Sequence, residues 1–184
     1  MTYVLALTGG IATGKSTADD FFKKNNIPVI DDDQIAHELM QPGQASWLAI
    51  KNHFGSEYLN ADQTINRKKL GQLVFNDPQA LVQLNELTHP LIFAQTKELL
   101  KKYHDQAIVV LDAPVYFESG LAQKHVADGV LVITLPKKMQ LKRLKERNNL
   151  TDAEAESRIK SQMSLTKKEQ LADFVIENTG TIKE

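Results

Sequence analysis

Gly9-Gly10-Ile11-Ala12-Thr13-Gly14-Lys15-Ser16 fits the pattern G-x-x-x-x-G-K-[ST] in full. It stands directly after a short apolar run, Tyr3–Leu7, and opens a segment of helical periodicity, Lys15–Lys24. The spacing has a physical reason. Glycines let successive backbone N–H groups turn inward on phosphate oxygens, and the helix behind them adds the positive end of its dipole. Lys15 supplies a mobile cation for the β- and γ-phosphates, and the Ser16 hydroxyl is placed to bind Mg²⁺. Without its flanks the octapeptide could be a plain glycine turn. With a strand before it and a helix after it, it reads as the loop that cradles the phosphates of a nucleotide.

Working outward, apolar strand-like runs alternate with helical patterns. Asn25-Asn26 ends the first helix, and Pro28–Ile30 is a brief second strand. Asp31–Met40 is predicted helical and is stopped by Gln41-Pro42-Gly43, and Ala45–Phe54 is a third helix carrying the lone Trp47. Gly55–Asn66 reads as a loop or small hairpin. Helices then dominate from Arg67 to Tyr103, with Pro78 suited to a first helical position and Pro90 expected to break or kink the run at His89. Ile108–Leu111 and Gly129–Leu135 are strands, and Lys137–Arg147 is a basic helix. Thr151-Asp-Ala-Glu154 is a capping box opening another helix, and Phe174–Glu177 is a last strand. Such alternation implies right-handed crossovers and a parallel sheet. The expected fold is a three-layer α/β/α P-loop domain with a five-stranded parallel sheet. Its core would comprise residues 1–30, 106–136 and 166–184, with a helical acceptor-binding lobe at 31–105 and a lid at 137–165.

Composition excludes several classes. The 184 residues are 42% hydrophobic, enough for a substantial core, and Lys+Arg 22 against Asp+Glu 23 leaves a net charge of −1. A non-specific nucleic-acid binder would need an excess of positive charge. No apolar run approaches a membrane span, and the N-terminus lacks a basic segment and a cleavage site, so a cytoplasmic protein is expected. There is no cysteine, hence no disulfide, thiolate metal site or thiol nucleophile.

A second acid supports the nucleotide reading. Ile108-Val-Val-Leu-Asp112 is an apolar strand ending in a carboxylate, as needed to hold the magnesium through water, although an ordinary loop Asp would look the same. No N-K-x-D guanine reader occurs, and a motor or helicase would be larger. A small kinase fits better, and it needs an acid for the acceptor hydroxyl and cations over the phosphoryl group. The acids are Asp31, Asp32 and Asp33, at the carboxyl end of the second strand, where they could equally cap the next helix. The cations are Arg143 and Arg147, four apart on one helix face. On their own they read more readily as a solvated basic face than as a phosphate clamp.

An ordered set of motifs resembles those of bacterial dephospho-coenzyme A kinases, over nearly the whole chain. Leu7–Ser16 is similar to that family's P-loop, and Ile30-Asp-Asp-Asp33-Gln-Ile-Ala-His37 to its D-A-D segment, with Asp32 where Ala is usual. Arg67–Phe75 and Thr88-His-Pro90 resemble its helical-lobe signatures. Leu111-Asp-Ala-Pro-Val-Tyr-Phe-Glu-Ser-Gly120 resembles its D-x-P-L-L-F-E-S-G loop. Gln140-Leu-Lys-Arg143…Arg147 is similar to its lid, and Ala172–Gly180 to its closing strand. The resemblance implies ATP-dependent phosphorylation of the ribose 3′-hydroxyl of dephospho-CoA, with Mg²⁺, and makes the arginine pair functional. It implies Lys15, Asp33 and Arg143 as catalytic residues, Asp33 orienting the hydroxyl. Gly10, Ala12, Thr13, Gly14, Lys15, Ser16, Thr17, Arg143, Arg147, Asn178 and Gly180 would bind ATP. Thr8, Asp31, Asp33, His37, Arg67, His89 and Glu118 would face the acceptor, and Ser16 and Asp112 the metal.

Three departures stand out. Ala12-Thr13 replaces Gly-Ser, so the loop must tolerate a Cβ at position 12. Val115-Tyr116 replaces an apolar Leu pair, with an expected effect on acceptor-side packing. The chain also stops at Glu184 where the family continues into a helix, which predicts apolar surface left uncovered on the sheet. The rival readings are another small P-loop kinase, acting on a nucleoside monophosphate or small alcohol, and a non-catalytic nucleotide sensor.

Overall fold

The computed structural model describes residues 2–180. Five strands form one parallel sheet: β1 Tyr3–Gly9, β2 Val29–Asp31, β3 Ile108–Asp112, β4 Gly129–Thr134 and β5 Phe174–Glu177, in the order β2-β3-β1-β4-β5. This is the three-layer α/β class. The central strands are continuous apolar runs because both their faces are covered. Leu5, Leu7, Val110, Leu131 and Ile133 make the core cluster, with Ala18, Phe22 and Val29 against it.

The order places the sequence-distant ends together. In the register, Leu7 of β1 lies opposite Asp112 of β3, Asp31 of β2 opposite the same Asp112, and Gly9 opposite Ile133 of β4. The carboxyl ends of β1, β2 and β3 therefore line up beside a strand-order reversal, where open α/β sheets bind ligands.

The chain divides into two compact units, residues 1–31 with 102–184, and residues 32–101. The first holds the sheet, helix α1 Lys15–Lys24 behind the glycine loop, and α6 Lys137–Asn148, α7 Asp152–Lys160 and α8 Leu165–Gln170. The capping box at α7 forms as expected, Thr151 accepting from the Glu154 N–H while the Glu154 carboxylate accepts from the Thr151 N–H. The second unit holds α2 Asp32–Leu39, α3 Ala45–Phe54, α4 Arg67–Asn76 and the long α5 Pro78–Lys102. Trp47, Ile50, Ile65 and Leu70 form its own core, and the Trp47 indole donates to the Gln63 carbonyl at 2.6 Å. The segment 55–66 is a 3-10 turn and one antiparallel bridge, Leu59 to Ile65.

Two expectations are corrected, and one element is new. Pro90 does not break its helix. α5 runs through it for 25 residues, because the turns on either side carry the helix across the single missing donor. Asp31 belongs to β2 rather than to the helix, since its backbone pairs in the sheet, and α2 starts at Asp32. Helix α8, before the last strand, is not anticipated in the sequence. It is six residues long, too short for a periodicity signal, and is capped by Ser164. At β5, Phe174, Val175 and Ile176 are each about half exposed (52%, 47% and 52%). The last four residues expected in the core, 181–184, lie outside those described.

Candidate active site

The glycine loop joins β1 to α1 and is held from within and without. Gly9 needs to be glycine: a Cβ there would lie 2.6 Å from the Ile133 carbonyl oxygen of the neighbouring strand. Gly14 has φ +91° and Ala12 φ +60°, so the loop does place an alanine in the left-handed region. Thr13 is fully buried, and its hydroxyl donates to the Gly10 carbonyl at 2.9 Å, closing the loop on itself. Three amide side chains grip it from other elements. Gln140 of α6 donates to the Ile11 carbonyl at 2.9 Å, and Gln162, between α7 and α8, accepts from the Ile11 N–H at 2.9 Å. Asn178, after β5, donates to the Thr13 carbonyl at 2.8 Å.

The charged centre lies at the start of α1. The Lys15 ammonium contacts both oxygens of Asp112 at 2.5 Å and Asp19, one turn on, at 3.4 Å. Two nearly buried carboxylates thus share one ammonium. Burial disfavours charge on Lys15, but Asp112 and then Asp19 outweigh it and hold the amine above its ordinary range. Asp112 is pushed up to about 7, chiefly by burial; Lys15 opposes this and the Asp19 carboxylate adds to it. The Oδ1 of Asp19 is buried with no hydrogen-bond partner. Ser16 and Thr17 lie exposed at the helix start.

Beside the loop is a cavity of about 530 Å³. Phe21, Phe22, Leu131, Ile133 and Ile176 form its apolar wall; Gly14, Thr17, Arg143, Asn178 and Gly180 its polar one. That combination suits a flat heterocycle next to bound phosphates. Arg143 therefore joins the loop, whereas Arg147, exposed on the same helix, turns its guanidinium to the Asn148 side chain at 3.0 Å.

The other sequence candidates divide between the units. In the first, Thr8 is buried and donates to the Pro114 carbonyl at 3.0 Å, and Glu118 accepts from the Met163 N–H at 3.0 Å. Tyr116 is 2% exposed, so that departure from the family pattern is a core substitution, while Val115 is exposed. In the second, Arg67 donates to His37, which also meets Gln41 at 3.1 Å. Asp33 is exposed on the first turn of α2, and His89 is half-buried in α5. Asp32, the unusual member of its triplet, is buried and accepts from Thr96 at 3.1 Å, which marks it as a structural carboxylate. Sequence reading missed Asp19, Gln140 as a loop contact, Gln162 and Lys168. Only Asp19 left a signal, its i+4 spacing from Lys15 on a predicted helix.

The family profile for dephospho-CoA kinase (CoaE) matches residues 3–184. The chain belongs to the dephospho-CoA kinase family. The dephospho-CoA kinase of Lactobacillus acidophilus is 72% identical over 184 residues, covering 100% of this chain and 92% of that protein. Among solved structures, the dephospho-CoA kinase from Campylobacter jejuni is 33% identical with TM-score 0.73, over 98% of this chain and 90% of that one. TT1252 from Thermus thermophilus is 28% identical with TM-score 0.86, over 99% and 91%. Among the described residues, no helix is long and apolar enough to cross a membrane.

Proposed function

We infer that the protein transfers the γ-phosphoryl group of ATP to the ribose 3′-hydroxyl of dephospho-CoA, yielding ADP and coenzyme A, the last step of coenzyme A synthesis. The observation that carries this is a complete phosphate loop with its lysine poised on Asp112, in a chain of this family. Both substrates are water-soluble metabolites, which supports a cytoplasmic enzyme.

Each residue has a derivable task. Backbone N–H groups of Gly10 and Ala12–Thr17 and the α1 dipole receive the phosphates. Lys15 leaves Asp112 for the β- and γ-oxygens, an exchange of anionic partners that keeps its charge neutralised throughout. Arg143 spreads charge over the transferring group, with Arg147 closing from the same helix. The base occupies the cleft bounded by Asn178 and Gly180. Asp33 orients the acceptor hydroxyl and takes its proton, while Thr8, Asp31, His37, Arg67, His89 and Glu118 bind the rest of dephospho-CoA.

Ser16 and Asp112 are the residues that would hold Mg²⁺, and the site suits it. The donors of Ser16 and Asp112 are oxygens, which a hard divalent cation takes, and the Asp19 carboxylate, its Oδ1 buried without a partner, lies beside them. Bound, Mg²⁺ neutralises charge on the phosphate oxygens.

The test is ADP release from Mg-ATP with and without dephospho-CoA, with mass detection of the product. Dephospho-CoA gaining one phosphate only in the complete mixture is the expected result. Turnover with a nucleoside monophosphate instead would replace the acceptor.

A further inference from the structure

Lys168, in the short helix α8, is the one lysine whose side chain is wholly buried among those in the described ion pairs (0% exposed). Its ammonium donates to two carbonyls, that of Gly9 at 3.1 Å and that of Pro114 at 2.8 Å, and forms an ion pair with the Glu118 carboxylate at 3.0 Å. The Pro114 carbonyl also receives the Thr8 hydroxyl, and Glu118 also receives the Met163 N–H. One ammonium therefore ties together the start of the phosphate loop, the segment two residues beyond Asp112, and the return from the lid helices.

A buried ammonium is an expensive way to stabilise a fold, because desolvation offsets most of the attraction and an apolar side chain of similar volume often does as well. What it does supply is geometry. Two charge-assisted hydrogen bonds and an ion pair hold three segments at short distances, which an apolar residue cannot do.

We infer that Lys168 is a positioning residue for phosphoryl transfer, setting the phosphate loop in register with the 112–118 segment. This rests on the reaction proposed above. Catalysis by alignment is sensitive to shifts of an ångström, so loss of the tie acts on turnover more than on nucleotide affinity.

The test uses Lys168→Met, Lys168→Gln and Lys168→Arg in the full chain, with wild type run alongside. Thermal melting, direct ATP binding and turnover at saturating substrates are measured well below the melting temperature. In folded Lys168→Met and Lys168→Gln we expect turnover to fall about 100-fold with ATP affinity within about threefold, and Lys168→Arg to recover to within about tenfold of wild type. Wild-type turnover per folded molecule in either neutral variant overturns the inference. So does failure of both neutral variants to fold while Lys168→Arg is fully active, since Lys168 would then serve stability alone. If wild type forms no coenzyme A, the proposed reaction fails instead, and the two failures are distinguishable.

Discussion

Ala12 is a β-carbon in a place built for none. At φ +60° an L-residue other than Gly costs about 1–2 kcal/mol, while Gly in its stead costs about 0.5–1 kcal/mol of chain entropy. Ala12→Gly is therefore expected to raise stability by up to about 1 kcal/mol, read from denaturant midpoints, with ATP affinity unchanged; a lower midpoint would contradict the strain. The charged centre gives a pH dependence. Native Asp112 keeps its proton up to about 7, against an ordinary value of 3.8, so between those values the native state binds more protons than the unfolded one. Stability without nucleotide should thus fall as pH rises from 3.8 to about 7 and be level above, as far as this group decides it. Asp19→Asn, removing the like charge, should flatten that fall, and an unchanged slope would separate Asp19 from Asp112. At the acceptor, Asp33→Asn should lower turnover about 100-fold or more while ATP affinity holds. Near-normal turnover would take Asp33 out of the role.

Helices α5 and α6 carry tests of their own. α5 crosses Pro90 without the donor that residue 90 would offer to the Glu86 carbonyl. Pro90→Ala restores it on an exposed position and is expected to add about 1–3 kcal/mol, seen as a higher melting temperature. A drop would mean that the proline ring packs better than the missing bond costs. On α6 the two arginines differ in setting, Arg143 in the cavity wall and Arg147 out on Asn148. Arg143→Ala should lower turnover far more than it weakens ATP binding, and the reverse pattern would make it a ground-state anchor. The element boundaries themselves were largely readable. α1, α3 and β5 match their sequence-based limits because Gly14, Gly55, Asn25 and the flanking polar residues are local punctuation. Pro90 misled because a breaker rule is local, while a 25-residue helix averages over it. α8 was invisible because six residues hold too little periodicity to register.

For the molecule as a whole, the sequence by itself determined the class of fold, the phosphate loop and the candidate acids and arginines. Strand alternation, helical spacing and turn residues are all written within a few positions of one another, and an ordered set of motifs survives as a string. It did not determine which side chains hold that loop in place. The strand order β2-β3-β1-β4-β5 brings Asp112 to Lys15 across 97 residues, Gln140 and Gln162 to Ile11 across 129 and 151, and Lys168 to Gly9 across 159. Asp32 shows the same from the other side. By spacing alone it is one of three adjacent acids, and its burial against Thr96, 64 positions away, sets it apart physically from the exposed Asp33. Periodicity reports a residue's own neighbours along the chain. Partners that meet only because separate strands close into one sheet are decided by tertiary packing, and the electrostatics of this site, two buried carboxylates on one ammonium, exist only once that packing has removed the water.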